Sequence, residues 1–372
     1  MSTRCISAIV VIVAVAVCSL VAQQAPRNLT VTSPTPPSQS ITYGAHMDLT
    51  WILKQEEYRN QRINAAATIG VQVGRNSLLW EFIEPAEGQY DWSVPDSVIK
   101  HMKTANIEPL FTVIGSPAWA NGTNSESDPE YFLQVPQNPQ TFNVWVSKYS
   151  RFMSLAAKRY KGIVTRWELG NEQNWEHFWK PRPNLDQYAY WYNQLSAAIL
   201  TEDPAAQIAS GGLTLLTRRD QEIRPNISGI TFIKGLWSRG IHPKAIAIHL
   251  YSDHGPTNIV PGTDNFLDIL EIRKLLVDNG ESRTSLWVTE WGWLDKALSP
   301  IQRSTYMAGA LQLFRDRFSS FVSLAIYFPL YDNPPSMEGG LLTETLALSP
   351  AGSTFDHFPR TFRSHDYTPA HK

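Results

Sequence analysis

Along residues 41–358, short and almost unbroken apolar runs alternate with longer segments in which apolar and polar positions are mixed. The runs predict eight strands, at 41–46, 70–74, 109–114, 164–169, 208–212, 245–250, 285–289 and 323–328. The amphipathic segments between them predict helices over 52–68, 95–105, 141–160, 185–200, 227–239, 265–279 and 300–318. Boundary residues agree with several of these: Asp203-Pro204 closes one helix, Gly240 closes another and Pro300 opens a third. Repetition of strand and helix builds a parallel sheet with helices outside it. The run Ala245-Ile-Ala-Ile-His-Leu250 has the continuous apolar character of a strand buried on both faces. An open doubly wound sheet is the alternative, but it would usually carry a glycine fingerprint after an early strand. Gly70-Val-Gln-Val-Gly74 lacks that spacing. The expected fold class is therefore α/β, a single (β/α)8 TIM barrel over 41–358, with any chemistry at the C-terminal ends of its strands.

Composition narrows the classes further. Of the 372 residues, 43% are hydrophobic and 18% charged, enough for a large core and too apolar for a disordered chain. Lys plus Arg number 32 against 34 for Asp plus Glu, so no basic field points to nucleic acid. The 13 tryptophans are the unusual count, because Trp offers a flat, amphipathic face to sugar rings as well as filling cores.

The two cysteines, Cys5 and Cys18, both fall in an opening segment where Arg4 precedes an apolar run from Ile6 to Val17. This segment reads as a secretory signal over residues 1–22, cut after Ala22, giving a secreted or periplasmic protein without cysteine. An uncleaved anchor over 6–22 is the alternative, and the bulky Val17 argues against a lipoprotein site at Cys18. Pro26, Pro34, Pro36 and Pro37 make residues 23–40 an extended tether, and 359–372 reads as a tail too short for a further carbohydrate-binding domain. Asn28, Asn121 and Asn226 head glycan-acceptor triplets.

The strand ends carry the candidate chemistry. Strand four delivers Gly170-Asn-Glu172-Gln-Asn-Trp175, and strand seven delivers Glu290-Trp-Gly-Trp293. Strands three units apart face each other across a barrel mouth, so Glu172 and Glu290 form a pair of opposed carboxylates. Glycosidic cleavage needs such a pair, one to protonate the leaving oxygen and one to attack or to direct water. Glu168 competes within strand four but lies deeper, where a carboxylate would have to be satisfied by Arg166 or Arg75. Strand six ends His249-Leu-Tyr251, two side chains on one face aimed at the same mouth, with Tyr251 able to donate to a carboxylate. His242 and His254 lack such placement, and no compact set of acids and histidines calls for a metal.

In this order and spacing, Gly170-Asn-Glu172, His249-Leu-Tyr251 and Thr289-Glu-Trp-Gly292 resemble the landmarks of the clan A retaining glycoside hydrolases. Within that clan, family 39 is the most similar, with its β-xylosidases, α-L-iduronidases and exopolysaccharide endoglycosidases. The supporting pieces are Arg75 to Trp92, including Ile83-Glu-Pro85 and Tyr90-Asp-Trp92, then Ser116-Pro-Ala-Trp119, Glu176-His-Phe-Trp179 and Leu185-Asp-Gln-Tyr188. The resemblance implies that Glu290 is the nucleophile and Glu172 the acid/base. It also implies that Asn171 meets the sugar 2-hydroxyl and that Arg75 and Tyr251 support Glu290. Trp119, Trp175, Trp179, Trp291 and Trp293 are the candidate sugar platforms, Trp291 foremost as the neighbour of Glu290. Two departures stand out: Gln173 occupies the place of the usual proline, and strand eight ends Tyr327-Phe-Pro-Leu330, where many clan members have a tryptophan.

The sequence therefore predicts a monomeric, cofactor-free and metal-free hydrolase of polysaccharides or oligosaccharides. A transglycosylase sharing the same intermediate, an inactive sugar-binding barrel and a metal-dependent hydrolase are the alternatives. Long connections at 115–141 and 332–343 suggest a walled cleft suited to a polymer.

Overall fold

A computed structural model describes residues 40–122, 133–215, 226–332 and 338–363. The expected leader, cleavage site and tether, the triplet at Asn28 and residues 364–372 lie outside the described residues. Eight parallel strands close a barrel: β1 (Thr42–His46), β2 (Val73–Leu79), β3 (Glu108–Ile114), β4 (Arg166–Asn171), β5 (Gln207–Thr214), β6 (Ala245–Tyr251), β7 (Ser285–Gly292) and β8 (Val322–Tyr327). Each pairs with the next and β8 pairs with β1, so the closed sheet has no edge strand.

Helices α1 (Glu56–Thr68), α2 (Ser93–Thr104), α3 (Pro139–Arg159), α4 (Leu185–Glu202), α5 (Gly229–Trp237), α6 (Ile269–Asp278) and α7 (Pro300–Leu313) occupy the intervals between strands. Their starts are set by local chemistry. Asn138, Asn184 and Ser228 accept hydrogen bonds from the first free N–H groups of α3, α4 and α5. Ser299 and Gln302 form a reciprocal capping box in front of α7, with Pro300 at its first position.

Several boundaries differ from expectation, and one helix was not expected. β2 was expected at 70–74 and runs from Val73 to Leu79. Gly70 instead takes a left-handed φ of 80° at the end of α1, and the strand continues through Arg75, Asn76 and Ser77, polar residues that are nonetheless buried. β7 extends past residue 289 to Gly292, so Glu290 lies within the strand. An eighth long helix, α8 (Pro350–Arg363), runs across the expected boundary between barrel and tail at 358 and ties to α7 through Ser304 and Thr354, whose hydroxyls lie 2.7 Å apart.

Inside the barrel, alternate residues of each strand point to the axis. The lower layer is apolar, with Val73, Leu110, Ala209, Ala245, Ala247, Trp287, Leu324 and Ile326 packed together. Two residues further along the strands, Arg75, Thr112, Glu168 and Thr289 replace it with an ionic layer directly under the mouth. Beside the mouth, a two-stranded sheet joins Leu133–Gln134 to Trp179–Lys180 and anchors the long connections after β3 and β4. Among the described residues no helix is long and apolar enough to cross a membrane. Asn121, expected as a glycan acceptor, is buried in a short helical turn, with its amide 3.4 Å from the Ser116 carbonyl, so a glycan has no access to it.

Candidate active site

Arg75 organises the mouth. Its Nε donates to Glu168 Oε2 (2.7 Å), Nη1 to Glu290 Oε1 (2.8 Å) and to His46 Nδ1 (2.9 Å), and Nη2 to Asn171 Oδ1 (2.8 Å). The guanidinium is buried, yet Glu168 and Glu290 more than offset the cost of burial and hold it protonated. Because Asn171 accepts from Arg75 with its oxygen, its amide nitrogen is left to face the cleft as a donor.

Glu290 stands opposite His249 in the register between β6 and β7. Its Oε2 accepts from the Tyr251 hydroxyl at 2.7 Å and lies 3.5 Å from His249 Nδ1. Burial works against its charge, but His249, Arg75 and the Tyr251 hydroxyl outweigh burial and hold the carboxyl well below the usual range. Tyr251 is pushed the other way, by burial first and by Glu290 second, and so keeps its proton to donate.

Glu172 follows β4 with a left-handed φ of 46°, and its N–H donates to the Gly212 carbonyl on β5 at 2.7 Å. That hydrogen bond holds the turn, which carries the side chain into the mouth. Its Oε1 lies 2.7 Å from His249 Nδ1. Here burial dominates and raises the carboxyl, with His249 as the close opposing partner. The same two carboxylates outweigh burial at His249 and raise its affinity for a proton, while its Nε2 finds no partner among the described residues. Gly212 makes room for that ring, since a Cβ there would meet Nε2 at 2.1 Å. In place of the clan's usual proline, Gln173 is fully buried and donates to the Gly211 carbonyl at 3.1 Å, and Asn174 reaches the Thr214 and Ile227 carbonyls.

Glu172, His249 and Glu290 each bring a ligand atom within 4.8 Å of the others, close enough in outline for a cation. The donor set argues otherwise. Glu290 is already hydrogen-bonded to a guanidinium and a phenol, and Glu172 to an imidazole, so a metal would have to displace these donors beside a fixed positive charge. What the trio can do is acid–base and nucleophilic chemistry, with one carboxyl held ionised and the other inclined to hold a proton.

The proposed platforms divide. Trp119 and Trp175 remain partly exposed at the rim, Trp119 with its indole N–H on the Glu84 carbonyl and Trp175 beside the rings of His177 and Phe178. Trp179, Trp291 and Trp293 cannot serve, because all three are sealed in the core. Side chains alternate along a strand, so with Glu290 pointing inward Trp291 points outward, against Phe314 and Tyr327. Trp293 stacks on Phe266, and Trp179 packs between Tyr188 and Trp191. Sequence reasoning missed His46, which ends β1 as His249 nears the end of β6, and Phe328, a partly exposed ring 4.8 Å from His46 and 6.3 Å from Tyr251. Glu168 pairs with Arg75, whereas Arg166 turns outward to Glu108. His242 pairs with Glu281.

No protein-family profile and no curated protein matches the chain. Solved structures do. A family 39 glycoside hydrolase from the gut symbiont Bacteroides cellulosilyticus WH2 matches 86% of this chain and 64% of its own, with a TM-score of 0.64 at 18% identity. This chain thus spans less than two thirds of that protein. A monomeric beta-xylosidase from Caulobacter crescentus CB15 matches over 88% of this chain and 69% of its own (TM-score 0.65, 16% identity). GH5_18 from Streptomyces cattleya, in complex with GlcNAc, matches over 89% and 82% (TM-score 0.60, 14% identity). These likenesses establish a barrel fold shared with clan A glycoside hydrolases.

Proposed function

We propose that the chain is an exported retaining glycoside hydrolase that cleaves O-glycosidic bonds of a polysaccharide or oligosaccharide by double displacement. The observation that carries this reading is the carboxylate pair, with oxygens of Glu172 and Glu290 within 4.8 Å and environments that push their proton affinities apart. Retaining enzymes hold their two carboxyl groups about 5–5.5 Å apart, and inverting ones leave roughly 6.5–9.5 Å for a water. The short approach of these oxygens supports the retaining reading.

In the first half, Glu290 attacks the anomeric carbon while Glu172 gives its proton to the departing oxygen, leaving a glycosyl ester on Glu290. In the second, Glu172 takes a proton from water as that water attacks the same carbon and releases Glu290. Arg75 and Tyr251 hold Glu290 ionised and aimed, and the Asn171 amide donates to the neighbouring sugar hydroxyl. Trp119, Trp175 and Phe328 are the rings available to line the cleft. The family 39 and beta-xylosidase likenesses support a glycan substrate, the long connections around the mouth favour a polymer, and residues 1–22 supply the export signal.

The test is trapping. A panel of 2-deoxy-2-fluoro glycosides with activated leaving groups should arrest the enzyme as an ester on the peptide carrying Glu290. Product from untrapped enzyme should keep its anomeric configuration by NMR. Inverted product would overturn the covalent mechanism, and a label on Glu172 would reverse the roles.

A further inference from the structure

Beneath the proposed catalytic pair lies a third carboxylate, sealed from solvent. Glu168, on β4, is fully buried and receives three donors from three other strands. Arg75 Nε (2.7 Å) and the Thr112 hydroxyl (2.6 Å) meet Oε2, and the Thr289 hydroxyl (2.7 Å) meets Oε1. Burying an ion pair is costly, and well-packed apolar groups often replace one with no loss of stability. The layer just below is apolar, so space alone does not demand a charge here. The other end of the guanidinium supplies a reason: Arg75 touches Glu168 with Nε and Glu290 and Asn171 with its two terminal nitrogens. One positive charge is thus divided between a carboxylate below the site and a carboxylate in it.

We infer that Glu168 is a positioning residue that acts through Arg75: it fixes the guanidinium so that its outer nitrogens face Glu290 and Asn171, and it offsets the positive charge felt by the Glu172–His249 pair. The inference rests on the roles proposed above for Glu172 and Glu290. It has a measurable consequence, because the site without Glu168 is one unit more positive. Arg75 links the charge to Glu290 and His46, with Tyr251 beyond on Glu290, while Tyr188 feels it from α4 and His249, the partner of Glu172, meets it across Gly212. Arg75 and both tyrosines hold their protons, and Glu290 is held ionised. His46 already accepts from Arg75 with Nδ1, so the Glu172–His249 pair is what the lost charge moves, and it should release its proton at lower pH.

The substitution E168Q isolates that charge. The amide oxygen can accept from Arg75 and Thr112, and the amide nitrogen can donate to the Thr289 hydroxyl, so shape and hydrogen bonding survive. E168D retains the charge and withdraws it from Arg75. Two readouts are compared with the native enzyme: the pH profile of kcat/KM on an activated aryl glycoside, and the carboxyl 13C NMR titration of Glu172. In E168Q the alkaline limb and the Glu172 titration should both move to lower pH by about one unit. E168D should move them the same way by less, and it serves as the measurement should E168Q not fold. Limbs and titrations that coincide with the native ones in whichever variant folds would overturn the inference, because loss of stability or of kcat alone is what a purely structural carboxylate would produce. If the native protein cleaved no glycoside, the proposed function would fall while the NMR titration still judged the role of Glu168.

Discussion

At the β7 corner of the mouth, Glu290 is met by a guanidinium and a phenol and lies 3.5 Å from an imidazole. At the β4 corner, among the described residues, Glu172 has that imidazole as its one close side-chain partner. Both side chains are buried, so burial alone would raise both. Surrounding donors decide the outcome, lowering one and leaving the other raised. A third carboxylate marks the limit of the series. Glu81, in the short helix after β2, has an oxygen sealed from solvent against Gly115 with no partner among the described residues, and burial pushes it up to about 7. A pair of opposed roles thus needs no difference in residue type, only an unequal distribution of donors around the barrel.

The comparison breaks most severely if its better-supported member is removed. Glu290→Ala should abolish turnover of every substrate, a loss beyond about 10⁴-fold, because no leaving group compensates for a missing nucleophile. Steady-state rates on activated and unactivated glycosides would show it. Glu172→Ala should lose roughly 10²- to 10⁴-fold on an unactivated glycan and far less in the glycosylation step of an activated aryl glycoside. Azide should then intercept the intermediate and give a glycosyl azide of retained configuration. Rescue of Glu290→Ala with retention would exchange the two corners.

A smaller change sharpens the picture. Tyr251→Phe takes one donor from Glu290, and a hydrogen bond to a charged group is worth about 1.5–3 kcal/mol, so kcat should fall on the order of 10- to 100-fold. The acid limb of the pH profile should move up, because Glu290 then holds its proton more tightly. A limb that stayed in place would deny the hydroxyl its part in the asymmetry.

The mildest test concerns Glu81. Below about pH 4.5 both folded and unfolded chains carry its proton, and between there and about 7 only the folded chain does, so native stability falls as pH rises through that window. Glu81→Gln should remove this dependence. Its melting temperature should gain on the native protein between those pH values and then run parallel, by about 5 °C. A constant offset across the range would show that the carboxyl is not held neutral.

Much of this was legible because apolar runs and strand ends are local signals. All eight strands could be read, and Glu172, Glu290, Arg75, His249 and Tyr251 do meet at one mouth. Polarity misled where it served the site. Arg75, Asn76 and Ser77 look like a loop, yet their polar groups are satisfied inside the barrel, and Asn76 and Ser77 hold the loop after β1. Adjacency misled at Trp291, since the neighbour of an inward residue faces outward. The link from Thr112 and Thr289 to Glu168 could not be read at all, because it depends on which strands share a layer, a property of closure rather than of any segment.

Gly212 carries the consequence of that closure furthest. A methyl group there would stand 2.1 Å from His249 Nε2 and 2.9 Å from Glu168 Oε1, so one added carbon would press on the acid–base partner and on the charge beneath it together. The chain's freedom to diversify is therefore uneven. Exposed positions that meet only solvent can change, while a residue with no side chain, set back behind the proposed chemistry, admits almost no alternative.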